Sequence, residues 1–295
     1  MRVLITGANG IIGQKLISKI PAADHDLRLL VREKEEFLFA PPADILRGDL
    51  LDKSSLEAAT KNMETVIHLA GLTHTNEQEL YYKINTLGTR NLLEACQKSQ
   101  VNRFIFISSR AAGLNGGAYA RSKFLAEEAV AKSNFNWVIL RLAEVYGAGE
   151  GEAIAKLIKI IKTGYFIPII GSGQFRLSPI FVDDAVAGIL AVLKNPALSK
   201  KIYNLAGPEE LTYNELVEQI LAETKLKRKK LFLPVALVRM AAELFSRVGV
   251  KLFVKDQIPR LLSEKSSDIS QAVCDFSFQP RNFRTGLKEL LNRAA

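Results

Sequence analysis

Tyr119 and Lys123 lie four residues apart in a stretch that reads as a helix, so both side chains fall on one face. A tyrosine hydroxyl ordinarily titrates near pKa 10 and handles protons poorly at neutral pH. An ammonium group beside it favours the phenolate and makes the pair a usable acid–base. A Tyr-x-x-x-Lys pair alone is common on helix surfaces. Ser108 and Ser109, closing an apolar run that reads as a strand, add hydroxyls able to polarise a carbonyl or steady an alkoxide.

A second constellation opens the chain. Thr6-Gly7-Ala8-Asn9-Gly10-Ile11-Ile12-Gly13 joins a strand-like run to a helix-like one. Gly7 suits a tight turn, Gly10 lets backbone approach a pyrophosphate, and Gly13 lets helix and strand pack closely; the helix N-terminus then offers free N–H groups to phosphate. Three glycines alone are weak, but their place between strand and helix is the context a dinucleotide site requires. The second strand ends in Leu29-Leu30-Val31-Arg32, where an acidic residue would bind the ribose hydroxyls and repel a 2′-phosphate. Arg32, with Lys34 close behind, favours NADP as the cofactor, with NAD still open.

These residues need a scaffold. Apolar β-branched runs at Val3–Thr6, Leu27–Val31, Ile45–Gly48, Thr65–Leu69, Phe104–Ser108 and Trp137–Arg141 alternate with helical patterns near Gly10–Lys19, Leu56–Ala59, Ile84–Lys98 and Tyr119–Ser133. Strands apolar throughout imply burial on both faces. The class expected is α/β: a Rossmann-type doubly wound parallel sheet with a smaller, helix-rich C-terminal substrate lobe. Residues 1–145 form the dinucleotide-binding domain, 146–295 the lobe, and 177–203 pack back onto the first; the cleft between them is the ligand site. Leu231–Met240 reads as a lobe helix, and Lys225–Lys230 as a solvated helix end and loop.

Composition narrows the classes. Hydrophobic residues at 48% and charged ones at 24% are a globular balance, and no run approaches the roughly 18 apolar residues of a membrane span. A strand-like run directly after Met1, without a charged-then-apolar leader, and only two cysteines, Cys96 and Cys274, point to a cytoplasmic, reduced protein. The net charge of +9 suits an anionic small molecule; nucleic acid is not favoured, because Lys225–Lys230 carries no aromatic interleaving. His25 reads as surface and His68 as core. His74, beside Thr73 and Thr75, could line a substrate pocket. No histidine–carboxylate cluster points to a metal.

The motifs also resemble a known family, the extended and atypical short-chain dehydrogenase/reductases. The resemblance runs through the glycine loop, Val66-Ile67-His68-Leu69-Ala70-Gly71, Asn85 to Ala95, Phe104 to Ser109, Tyr119 to Lys123, Arg141 to Gly147 and Val182-Asp183-Asp184, then thins after about residue 206. It implies Tyr119 as general acid or base, Lys123 on the nicotinamide ribose, and Ser109 on the reacting oxygen with Ser108 as fallback. It also implies Asp49 and Leu50 at the adenine, Leu69, Ala70 and Gly71 beside the cofactor, and Asn85 supporting the sheet and a relay water. A dimer through the helices Ile84–Lys98 and Tyr119–Ser133 is a further family expectation. Departures bear on the substrate. Arg110 and Ala111 stand where dehydratases carry Asp-Glu, and Leu142 replaces a proline. Arg176 matches the arginine that meets a nucleotide-sugar diphosphate, but the second family arginine is missing and Arg260 is a poor substitute. The reading is an NAD(P)-dependent oxidoreductase or epimerase acting on a sugar or ketone, foremost a nucleotide-sugar. The alternatives are an NADPH-dependent reductase of a hydrophobic, steroid- or flavonoid-like ketone, or a dinucleotide-sensing or RNA-binding relative without turnover.

Overall fold

A computed structural model describes residues 1–21, 23–32, 43–147, 149, 152–238, 240, 257–263 and 266–293. Strands β1 (Arg2–Thr6), β2 (Asp26–Val31), β3 (Ala43–Arg47), β4 (Thr65–His68), β5 (Arg103–Ser109) and β6 (Asn136–Leu142) join β11 (Lys201–Leu205) in one sheet, ordered β11-β6-β5-β4-β1-β2-β3. Every pairing in it is parallel. The order reverses between β1 and β4, and in a doubly wound sheet ligands bind outside the carboxyl ends of the strands at that point.

The two buried faces follow from the period of two along each strand. Val3, Ile5, Ile105, Ile107, Val138 and Leu140 pack on one side with helices α1 (Ile11–Ile17) and α7 (Val182–Lys194). Leu4, Val66, Phe104, Phe106 and Ile139 pack on the other, beneath α2 (Lys53–Thr60), α4 (Gly88–Lys98) and α5 (Gly117–Ala131). The α/β class read from the sequence is what the chain adopts. Leu142 belongs to this sheet: it is paired with Ser109 on one side and Leu205 on the other. A proline there could not donate to a ladder, so its replacement lets β6 run one residue further.

A third apolar cluster gathers α6 (Ala153–Thr163), β8 (Phe166–Ile170), α8 (Tyr213–Thr224) and the C-terminal helix Phe283–Arg293, through Leu157, Ile161, Ile169, Val217, Phe283 and Leu287. It is tied to the sheet domain by Arg281, whose guanidinium and backbone N–H all donate to Asp184 at the start of α7.

One expected element is corrected. Leu231–Leu233 belong to strand β13 (Lys229–Leu233), parallel to β8, rather than to a helix. Residues 235–238 and 240 are helical, as read from the sequence, and Arg239 lies outside the described residues. The basic segment is likewise not all helix end and loop. Lys225 caps α8 in the left-handed region at φ 55°, and Lys229 and Lys230 already belong to β13. An unpaired edge at β8 offered hydrogen bonds that local periodicity cannot reveal.

Candidate active site

The glycine loop is built by contact. Gly7 sits at φ 71°, and a β-carbon there would come within 2.6 Å of the Ala70 backbone nitrogen. One on Gly13 would lie 2.3 Å from the Gly7 carbonyl oxygen. Gly10 caps α1 without any side-chain hydrogen bond, so the first N–H groups of the helix stay available to phosphate oxygens. Ile11 is exposed at this mouth, Ile12 packs against the core, and the Asn9 carbonyl accepts from Gln14. Leu69 donates its N–H to the Thr6 carbonyl, and the Ala70 N–H reaches the Thr6 hydroxyl at 3.3 Å. Leu69, Ala70 and Gly71 thus run beside the loop. These residues fit a dinucleotide.

Beneath the loop a buried chain runs from the Thr6 hydroxyl to His68 Nδ1 (2.7 Å), from His68 Nε2 to the Thr89 hydroxyl (3.0 Å), and on to the Asn85 carbonyl (2.6 Å). Because Thr89 spends its proton on that carbonyl, it accepts from His68, which fixes the Nε2–H tautomer. Burial, then the nearby charge of Lys123, hold the imidazole neutral, with its pKa pushed down to about 3. His68 is a core residue.

On α5, Tyr119 and Lys123 are both buried one turn apart. The Lys123 ammonium donates to the Ile107 carbonyl at 2.8 Å and lies 4.3 Å from the centre of the Phe106 ring. A β-carbon at Gly71 would stand 3.9 Å from it, which puts the lysine at the cofactor loop. Burial pushes its pKa down to about 8; Glu127, one turn further and held bidentately by Arg141, opposes that shift. The unfolded chain keeps this proton to the usual 10.5. Burying the charge therefore lowers stability in full below about pH 8, and the penalty is relieved as pH rises between about 8 and 10.5. Urea unfolding of wild type and Lys123→Met, near neutrality and near pH 10, is expected to show wild type gaining on the variant across that window. A pH-independent gap would contradict it.

The Tyr119 ring meets Tyr81 edge to face at 5.7 Å and carries the Arg260 guanidinium 4.8 Å above its centre. Ser109, at the end of β5, is half-buried and accepts the Ala111 N–H at 3.1 Å, whereas Ser108 is buried and its hydroxyl has no partner among the described residues. Asn85 lies in a π-helical turn, Tyr82–Leu87, and fastens Leu72 through both its N–H and its carbonyl while donating to Ser122 on α5. It clamps the loop to the helix, where the sequence had pointed to the sheet. Such π turns recur at functional sites.

Asp49 turns its carboxylate to the Leu51 N–H at 2.8 Å, and Leu50 is buried under Gly88. Arg32 is exposed at the end of β2; Glu33 and Lys34 lie outside the described residues. His74 is exposed, hydrogen-bonded to Thr73, and partial desolvation, then the charges of Arg260 and Lys156, push its pKa down. Arg176 stands apart from the tyrosine on β9 (Arg176–Leu177), 3.6 Å from Glu210.

Two residues escaped the sequence reading. Arg260, discounted there, covers the tyrosine. Arg110, directly after Ser109, is buried and bridges Glu144 at 2.8 Å with Ser178 and Ser267. A lone arginine amid serines and alanines was the available signal.

The chain matches the NAD dependent epimerase/dehydratase family over residues 3–206 and belongs to it. It is an enzyme of this nicotinamide-dependent kind. It is similar to the N-acetyl-alpha-D-glucosaminyl-diphospho-ditrans,octacis-undecaprenol 4-epimerase of Escherichia coli O157:H7, with 30% identity over 254 residues, covering 79% of this chain and 75% of that one. A ceramide reductase of Caulobacter vibrioides is 31% identical over 199 residues, covering 66% of this chain and 62% of its own. In structure it resembles MoeE5 in complex with UDP-glucuronic acid and NAD, with a TM-score of 0.79 and 23% identity across the whole of both chains. That likeness speaks for the fold alone.

Proposed function

We propose that this enzyme carries out NADP(H)-dependent oxidation or reduction at a secondary hydroxyl or ketone, foremost on a sugar joined to a diphosphate. The observation that carries the reading is that Lys123, one helical turn beyond Tyr119, reaches both Gly71 and the Ile107 carbonyl of β5, the strand that ends in Ser109. Tyr119 moves the proton on the reacting oxygen, Ser109 holds that oxygen, and Lys123 favours the phenolate and binds the nicotinamide ribose. When bound, the nicotinamide supplies or accepts the hydride. The glycine loop takes the pyrophosphate, Asp49 and Leu50 the adenine end.

The sugar diphosphate is supported by cations near Tyr119 and His74. Arg260 lies over the Tyr119 ring, and both Arg260 and Lys156 are close enough to His74 to push its pKa down. Such substrates include nucleotide-sugars and the lipid-linked sugar named for the Escherichia coli relative. A hydrophobic ketone is the second reading, favoured by Glu210, which already engages Arg176. A screen with NADPH against keto-sugar diphosphates and hydrophobic ketones separates the two; no turnover on either class would reject the proposal.

Arg32 gives the cofactor preference. A charge-assisted bond to a 2′-phosphate contributes about 1.5–3 kcal/mol, so NADPH is expected to bind at least about tenfold more tightly than NADH. Arg32→Ala is expected to erase the difference. Nicotinamide fluorescence titrations check both, and equal affinities in the wild type would remove Arg32 from the argument.

A further inference from the structure

The sheet formed by β8 and β13 lies at the surface of the C-terminal cluster. Its inner side buries Ile167 and Ile169, but its outer side and edge are apolar too. Tyr165 is 86% exposed, and Phe166, Leu231, Phe232, Leu237 and Met240 each show about half their surface to solvent. Phe166 is in register with Lys229, and Leu231 follows two residues along on the same face. Scattered exposed hydrophobics are ordinary, but Phe166 and Leu231 share the outer face with Tyr165 next to them in the chain, while Phe232, in register with Ile169, projects to the other side at the strand edge; grouped exposed side chains of this kind mark contact surfaces.

The rim is cationic. Lys162, Lys225, Lys227 and Lys229 are exposed, and among the described residues none has a carboxylate within ion-pair distance. Their neighbours Arg228 and Lys230 are committed: Arg228 to the last carbonyls of α6, Lys230 to Glu218. Lysines on an edge strand also discourage strand-to-strand aggregation. That role explains neither the exposed aromatic and aliphatic side chains beside them nor a net charge of +9.

We propose that this face docks on an anionic lipid bilayer, with Tyr165, Phe166 and Leu231 entering the interface and the four lysines meeting lipid phosphates. Apolar insertion combined with basic charge is the pairing that holds peripheral proteins on membranes, and either signal alone is weak. No helix among the described residues is long and apolar enough to cross a membrane. A second copy fits less well, because a two-fold contact would set the lysine rim against itself. Nucleic acid fits less well too: Tyr165 and Phe166 offer rings for stacking, but Leu231 on the same face gains nothing from a base and gains by leaving water in a bilayer.

The docking is read independently of turnover. The full chain is mixed with vesicles of phosphatidylcholine alone and with vesicles containing phosphatidylglycerol, then floated on a density gradient. Flotation is expected only with the anionic vesicles and is expected to weaken in high salt. Lys227→Glu with Lys229→Glu lowers partition at least about 20-fold, at about five-fold or more for each lysine removed. Leu231→Ser lowers it about tenfold. Both variants keep NADPH affinity, which shows that they fold. Failure of the wild type to float, or flotation untouched by these changes, overturns the proposal. So does lipid-free self-association lost in Leu231→Ser, or binding of a single-stranded oligonucleotide through the same lysines without vesicle binding.

Discussion

Tyr119→Phe is expected to lower kcat by about 10²–10⁴-fold, the range for losing a positioned general acid–base, while NADPH affinity stays within a few-fold. The two halves of this expectation rest on different contacts. The ring is held by the edge of Tyr81 and by the guanidinium of Arg260, and phenylalanine keeps both. In the proposed reading the cofactor is met by the glycine loop, by Leu69–Gly71 and by Lys123, whose ammonium is anchored on the Ile107 carbonyl. Only the hydroxyl is lost, and with it the proton transfer. Single-turnover hydride transfer, followed by nicotinamide absorbance with any substrate found in the screen, measures the first half; fluorescence titration measures the second. A variant with wild-type turnover would remove Tyr119 from the chemistry. A variant unable to bind NADPH would show that the ring shapes the cofactor site and does not merely face it.

The legible parts of this protein are those governed by neighbours in sequence. Gly7, Gly10 and Gly13 announced a loop that admits no β-carbon at two of the three positions, and Val3, Leu4 and Ile5 announced a strand buried on both faces. Tyr119 and Lys123 needed only the pitch of a helix to be placed together. What stayed hidden depends on partners far along the chain. Arg260 reaches Tyr119 across 141 positions (260 − 119) of intervening sequence. Leu231–Leu233 became a strand because β8 had an open edge, although nothing in their own pattern required it. Asn85 carried a visible motif, but its clamp on Leu72 arises from the π turn, which local propensity does not foretell.

Arg110→Ala is expected to be the most destabilising single change near the site, at about 3 kcal/mol, the lower end of the range for breaking a buried ion pair. The arginine side chain is only 2% exposed, so the Coulomb attraction to Glu144 acts in a poorly screened setting, while Glu144 at 27% exposure recovers some hydration when abandoned. Truncation also leaves the Ser178 and Ser267 hydroxyls without a shared donor and opens a cavity beside Ser109. For a chain of this size the melting temperature should fall by on the order of 10 °C. Arg110→Lys should recover only part of this, because an ammonium cannot present a planar fork to the carboxylate and two hydroxyls at once. The pair also bears on the reaction. A guanidinium neither gives up nor accepts a proton at ordinary pH, and this one is turned inward onto Glu144, away from any acid–base task. Arg110 therefore cannot stand in for the acid that the resemblance places at this position in dehydratases. The decisive comparison is the double variant Arg110→Met with Glu144→Leu. If the pair serves packing and position alone, the double variant regains most of the lost stability, and turnover returns with KM changed more than kcat. Recovery of stability without recovery of kcat would instead mean that Arg110 fixes the approach of Ser109 to the reacting oxygen.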